Sequence, residues 1–95
     1  MRLEWSAPAS EDRNAIFDYI EADNPSAAIG VDNRIHEQVG CLSRFPELGR
    51  PGRIYGTREL VIVHTPNIAA YRIVDDTVNI LRILHGAQLW PEELV

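Results

Sequence analysis

RELVIVHTPNIAAYRIVDDTVNILRIL, residues Arg58 to Leu84, is the stretch whose reading decides the fold. Three runs rich in apolar and β-branched residues, Arg58–Val63, Ile68–Val74 and Thr77–Leu84, are separated by His64-Thr65-Pro66-Asn67 and by Asp75-Asp76. Connections this short predict an antiparallel three-strand meander, because a parallel crossover needs a much longer link. A two-residue turn at Asp75-Asp76 pairs Val74 with Thr77, Ile73 with Val78 and Arg72 with Asn79. A four-residue loop before it pairs Val63 with Ile68 and sets Glu59 opposite Arg72. One face then carries Leu60, Ile62, Tyr71, Ile73, Val78 and Ile80, the side expected to pack on helices. The other carries Glu59, Val61, Arg72, Thr77, Asn79, Leu81 and His85, a mixed face left for another covering. A slip of one residue would exchange the two faces.

Upstream of the meander the periodicity changes. Arg2 to Trp5 alternates polar and apolar residues, which suits a short strand. Ser6 is placed to cap a helix with Pro8 in its first turn, and Ala9, Ile16, Tyr19 and Ile20 recur at helical spacing over residues 8–22. Asn24-Pro25 opens a second helix over 25–44, whose stripe is Ala28, Val31, Ile35, Val39 and Leu42. Cys41 is expected to be a small buried side chain on it. Glu47–Gly56 reads as loop and Gly86–Val95 as an irregular tail. The order is β-α-α-β-β-β: an α+β fold, with a helical hairpin on one face of an antiparallel sheet and residues 1–95 as one domain. Ile16, Ile20, Val31, Ile35, Val39, Ile73 and Ile80 are the expected core.

Composition narrows the function. The 95 residues are 45% hydrophobic and 24% charged, an ordinary globular balance. No window holds the ~18 consecutive apolar residues of a membrane helix, and the N-terminus lacks the apolar run of a secretory signal, so a cytoplasmic protein without a membrane partner is expected. All nine basic residues are Arg, which excludes a catalytic lysine, a Schiff base and a P-loop. The net charge of −5 is uneven: residues 41–74 carry five Arg against two acids, between acidic flanks. No cofactor or metal is expected, since Cys41 is alone and neither His36 nor His64 has a partner at metal-ligand spacing.

The chain resembles the ParE/RelE superfamily of bacterial type II toxins in a series of segments along its length. They are the helical hairpin, Phe45-Pro46-Glu47-Leu48-Gly49-Arg50-Pro51, Gly56-Thr57-Arg58-Glu59-Leu60, Ala70-Tyr71-Arg72-Ile73, and Ile83-Leu84-His85-Gly86-Ala87-Gln88-Leu89-Trp90-Pro91. The resemblance is closer to ParE. It implies a small toxin encoded beside an antitoxin, ParD-like or other, that wraps and neutralises it. RelE-like members of the superfamily cut messenger RNA on the ribosome with clustered basic residues and an acid/base group. ParE-like members lack that cluster and act on DNA gyrase.

Cleavage through a 2′-hydroxyl needs proton transfer at two oxygens and cations on the phosphate. On the nuclease alternative His85 is the acid/base group, with Arg72 on the same face and Arg53 reaching over from the loop. The tail after Gly86 adds no Tyr, Arg or His and contains Glu92-Glu93, so the equipment is thin and the reading favours an inhibitor without chemistry of its own. For that inhibitor the target- or antitoxin-binding candidates are Arg50, Arg53, Arg58, Arg72, Trp90 and Pro91. Structural roles stand beside these: a cross-strand ion pair between Arg72 and Glu59, a pairing of Arg82 with a carboxylate, and Arg58 anchoring backbone carbonyls.

Overall fold

The structure is a computed structural model that describes residues 1–94. It comprises β1 (Arg2–Trp5), α1 (Ala7–Glu21), α2 (Pro25–Gly40), β2 (Arg50–Pro51), β3 (Arg58–Val61), β4 (Asn67–Val74) and β5 (Thr77–His85). The strands form one sheet in the order β1-β5-β4-β3-β2, antiparallel except for β1, which lies parallel to β5. Both helices start where the sequence places them. The Ser6 and Asn24 side chains accept from the Ala9 and Ala27 amides, and a proline occupies the first turn of each helix. The expected α+β architecture is what forms.

The helices cover one face. Ile35, Val39, Leu42, Ile62, Tyr71, Val78 and Ile80 are fully buried there, and Ile16, Val31 and Ile73 pack against them half-buried. Ile20, also expected in this core, instead lines a groove beside it. Arg13 ties the hairpin together: its Nε and Nη2 donate to the two Asp32 oxygens at 2.6 and 2.9 Å, and its guanidinium stands 5.2 Å from the Trp5 ring. The second helix stops at Gly40 rather than 44, and a 3₁₀ turn, Cys41–Ser43, follows it. Leu42 continues the buried stripe of Ala28, Ile35 and Val39, while Cys41, about 200° round the helix from Val39, falls on the opposite side, so the cysteine expected to be buried is exposed.

The meander differs from its expected register in two places. The Gln38 side chain takes both backbone groups of Val63, accepting from its N–H at 2.7 Å and donating to its carbonyl at 3.1 Å. Val63 is thereby drawn off the ladder and the loop becomes Val63–Pro66, closed by the Ile62 amide on the Asn67 carbonyl. The β3–β4 pairing moves by two residues, setting Glu59 opposite Ala70 instead of Arg72. A shift of two preserves the faces. In β4–β5 the pairs from Val74–Thr77 to Tyr71–Ile80 form as expected, but then Ala70 stands opposite Arg82, leaving Leu81 as the extra residue of a bulge. Beyond the bulge the alternation of β5 is inverted. Ile83 joins the helix-side core, and Leu84 joins Leu81 and Ala70 on the opposite face under Leu94, Trp90 and Ile54.

Candidate functional site

Arg44 to Arg58 supplies four of the nine arginines, and its backbone is pinned at both ends. The Tyr71 hydroxyl donates to the Pro46 carbonyl at 2.7 Å and accepts from the Gly49 amide at 2.9 Å. A Cβ at Gly49 would stand 2.7 Å from that ring and hydroxyl, so the Pro46–Gly49 turn closes only on glycine. Arg58 donates to the Gly49 carbonyl at 2.8 Å and more weakly to that of Glu47. At the far end the Gly52 amide donates to the Thr57 carbonyl at 2.7 Å.

Between these pins lies a charge cluster on the sheet face away from the helices. The Glu59 side chain is 3% exposed. It accepts from the Arg53 amide at 2.8 Å, from Arg53 Nε at 3.0 Å and Nη2 at 3.3 Å, and from Arg50 Nη2 at 3.2 Å. Burial alone pushes the Glu59 carboxyl up, but the side-chain and backbone bonds from Arg53 and the bond from Arg50 outweigh it and hold its pKa below the ordinary glutamate value. The Arg53 guanidinium lies 3.6 Å from the centre of the Trp90 ring, and Trp90 Nε1 donates to the His85 carbonyl at 3.1 Å. Glu59, Arg53 and Trp90 form a stack that clamps the C-terminal tail onto the sheet, with Leu94 buried beyond it. Arg72 shares this face but makes no ion pair among the described residues, and Pro91 is exposed. The cross-strand pair between Arg72 and Glu59 is therefore replaced by the pair of loop arginines, because the register shift carries Arg72 past Glu59.

The bulge at Leu81 takes His85 off this face. His85 stands opposite Asn67 on the helix side, and both line a groove of about 440 Å³ with Asp12, Ile16, Tyr19 and Ile20. Its Nδ1 accepts from the Ala87 amide at 3.1 Å, which leaves Nε2 to carry the proton of the neutral ring. Arg82 Nε and Nη2 meet Asp12 of α1 at 2.7 and 2.9 Å, a hydrogen-bonded pairing that raises the guanidinium pKa. The three residues of the nuclease alternative are thus divided, with Arg53 and Arg72 on the tail side and His85 on the groove side. Arg53 is in addition shared between Glu59 and Trp90. Among the described residues no group of three His, Cys, Asp or Glu is placed to hold a metal ion.

Sequence reasoning missed the groove and the tail covering, since both depend on the bulge. The groove runs past Tyr19 and Ile20 into a second depression at Asp23, Asn24 and Ala27. Its floor is apolar, and Glu11, Asp18 and Glu21 are exposed on the same helix.

Comparison with known proteins agrees over most of the chain. Residues 3–90 match the family described as the ParE toxin of the type II toxin-antitoxin system parDE. The chain is 45% identical over 93 residues to a candidate toxin of Sinorhizobium fredii, Y4kP, covering 98% of this chain and 96% of that one. It is 38% identical over 88 residues to the toxin RelE2 of Caulobacter vibrioides, covering 93% and 98%. A chain from the chromosomal ParDE toxin-antitoxin system of Pseudomonas aeruginosa superimposes with a TM-score of 0.80 at 32% identity, over 87% of this chain and 92% of that one.

Proposed function

This chain belongs to the ParE toxin family of type II toxin-antitoxin systems, and from that premise we propose that it arrests growth by binding DNA gyrase in the cytoplasm, with no chemistry of its own. The observation that carries this reading is the division of the would-be nuclease residues between two faces of the sheet. A ribonuclease needs its cations and its proton carrier around one phosphate, and losing one such donor typically costs ~10²–10³ in rate. Here the Arg53 guanidinium is held by Glu59 and Trp90 while His85 lies in another groove. An inhibitor needs only a complementary patch, which the arginine loop and the Trp90-Pro91 tail supply with residue types common at binding hot spots. The test is to induce the toxin alone, map messenger RNA by primer extension, and assay gyrase-mediated DNA breaks in parallel. Breaks that persist in His85→Ala support the reading. Codon-phased cuts on the ribosome that vanish in that variant overturn it.

The similarity to the Caulobacter toxin RelE2 favours a second reading, ribosome-dependent cleavage of messenger RNA, which the same experiment separates from the first. On either reading residues 1–95 act as one domain and are neutralised by an antitoxin from the adjacent gene. The apolar groove beside α1, with Asp12 and Asp23 in its lining and Glu11, Asp18 and Glu21 exposed nearby, suits a basic and apolar segment that folds on binding. Co-expression with the neighbouring reading frame should give a single species on size exclusion at micromolar concentration. Separate elution would remove the antitoxin from the proposal.

A further inference from the structure

Three polar or charged residues are buried among the described residues: Thr57, Glu59 and Asn67, the last at 5% exposure. Two of their side chains are satisfied. Thr57 donates to the Ile54 carbonyl, and Glu59 is met by Arg50 and Arg53. The Asn67 backbone is equally satisfied, its amide donating to Thr65 Oγ1 at 3.1 Å and its carbonyl accepting from the Ile62 amide at 3.0 Å. Its side-chain amide, by contrast, makes no hydrogen bond among the described residues. Every fully enclosed side-chain nitrogen and oxygen has a partner, so this amide is not sealed in. It opens into the groove that Asn67 lines with Ala15, Ile16, Tyr19, Ile20 and His85. The loop itself does not need an asparagine there, since its left-handed residue is His64, with φ of 66°. A carboxamide nearly withdrawn from water yet left unpartnered points to a ligand, because such groups are costly to bury alone.

His85 is the ladder partner of Asn67, so the two side chains stand together at the sheet end of the groove. With Nδ1 accepting from the Ala87 amide, His85 Nε2–H is a further donor without an acceptor among the described residues. We propose that Asn67 and His85 clamp the main chain of the antitoxin where it crosses this end of the groove in an extended, non-helical stretch. The Asn67 side-chain oxygen accepts from a peptide N–H of the partner and its NH2 donates to a peptide carbonyl, while His85 Nε2 donates to a neighbouring carbonyl. This rests on the reading that an antitoxin segment fills the groove, and it names the contact that holds it. Within a helix the peptide groups are already bonded four residues apart, whereas an extended chain leaves them free for such a clamp. The occupant is a basic protein segment rather than a nucleic acid because the rim is acidic. Glu11 and Asp18 lie four residues before and three after Ala15, hence on one face of α1, and Asp23 lines the adjoining depression. None of the three has an ion-pair partner among the described residues, so their charge is open to a cationic segment. The groove continues from Tyr19 and Ile20 into that depression, which suits a run of chain better than a compact ligand.

The experiment measures affinity for the product of the neighbouring reading frame in wild-type toxin, Asn67→Ala, Tyr19→Asp as a block of the groove, and Asn33→Ala as an exposed control on α2. Asn67→Ala is expected to bind about 20-fold more weakly while keeping its own urea midpoint, since the free toxin has no side-chain bond at Asn67 to lose. Asn33→Ala should match wild type. Main-chain recognition is read with synthetic versions of the antitoxin segment that the complex protects from proteolysis, each with one amide replaced by an ester. One position should weaken binding to wild type about tenfold and leave binding to Asn67→Ala unchanged, as expected of coupled partners. In wild-type toxin, where no variant has to fold, the Asn67 side-chain amide protons should exchange with water at least about tenfold more slowly once antitoxin is added. Asn67→Ala within about threefold of wild type, or unchanged Asn67 amide protons in the complex, overturns the clamp. If Tyr19→Asp then still loses affinity, the groove reading survives without it; if Tyr19→Asp also binds normally, both fail. Esters that weaken wild type and Asn67→Ala equally overturn main-chain recognition and the proposal with it. Asn67 amide shifts that grow with toxin concentration alone would identify a second copy of this chain as the occupant, and also overturn it.

Discussion

On the helix side of the sheet, Ile35, Val39 and Leu42 meet Ile62, Tyr71, Val78 and Ile80 in a layer from which water is excluded. On the other side Ala70, Leu81 and Leu84 lie under one buried tail residue, Leu94, with Ile54 and Trp90 half-buried at the margin. The first layer is held by interlocking side chains on regular elements. The second is held by a strap whose closest fastening is ionic and aromatic, Glu59 to Arg53 to Trp90. Stability therefore resides on the helix side. The strap side fixes the shape of the surface that carries the exposed arginines.

The contrast predicts unequal costs for similar truncations. Ile80→Ala removes a wholly buried side chain from the middle of the helix-side layer and should cost about 3 kcal/mol in urea unfolding, within the usual range for such cavities. The chain should lose much of its stability in that variant, since small domains have only ~5–15 kcal/mol in total.

Glu59→Gln probes the strap through its buried carboxylate and should cost about 2 kcal/mol, because three hydrogen bonds from two guanidinium groups lose their charged acceptor in a buried position. The same group sets a pH dependence. Its folded pKa lies below the ordinary 4.5, so its contribution is complete above about pH 4.5 and is lost as the pH falls through the folded value. Asp32, lowered by its hydrogen bond to Arg13, behaves likewise from its ordinary 3.8 downward. Unfolding free energy should be level above pH 5 and decline in acid, with a shallower decline in Glu59→Gln than in wild type. An unchanged slope would place the acid sensitivity at Asp32 alone.

Leu94→Ala should cost less again, about 1 kcal/mol, because a single residue at the end of a tail gives up less packing than one held on both sides by strands. It should also redden and quench Trp90 fluorescence as the indole loosens from the sheet. A cost equal to that of Ile80→Ala would mean that the tail is part of the core, and the distinction between the faces would collapse.

The helix side was legible in the sequence because period and capping determine it: Ser6, Asn24 and the two early prolines start the helices, and Ile35 and Val39 repeat at helical spacing. The segment Phe45–Pro51 was legible as a motif, and its physical basis is the Tyr71 hydroxyl bridging Pro46 and Gly49. The strap side was legible only as a face. Gln38 capturing Val63 and the extra residue at Leu81 are tertiary events, and neither leaves a pattern in the strands themselves. The first moved Arg72 away from Glu59, and the second carried His85 to the other side. Leu94 and Ile54 looked like loop residues because nothing in a local window shows what they cover.

The smallest expected effect is the most direct check on that register. If Arg72 were the cross-strand partner of Glu59, Arg72→Ala would leave a buried carboxylate short of its counter-ion and cost on the order of 1–3 kcal/mol. In the structure Glu59 is satisfied by the Arg53 amide and by the Arg50 and Arg53 guanidinium groups, and it stands opposite Ala70. Arg72→Ala should then change stability by less than about 0.5 kcal/mol, as for an unpaired surface residue. Arg53→Ala should cost about 1–2 kcal/mol, since it takes a guanidinium from Glu59 and the cover from Trp90 together. The double-mutant cycles decide between the registers. Coupling between Glu59 and Arg53 with none between Glu59 and Arg72 supports the two-residue shift. The reverse would restore the longer β3 strand and return Arg72 to Glu59, freeing Arg53 for a substrate phosphate and strengthening the nuclease alternative.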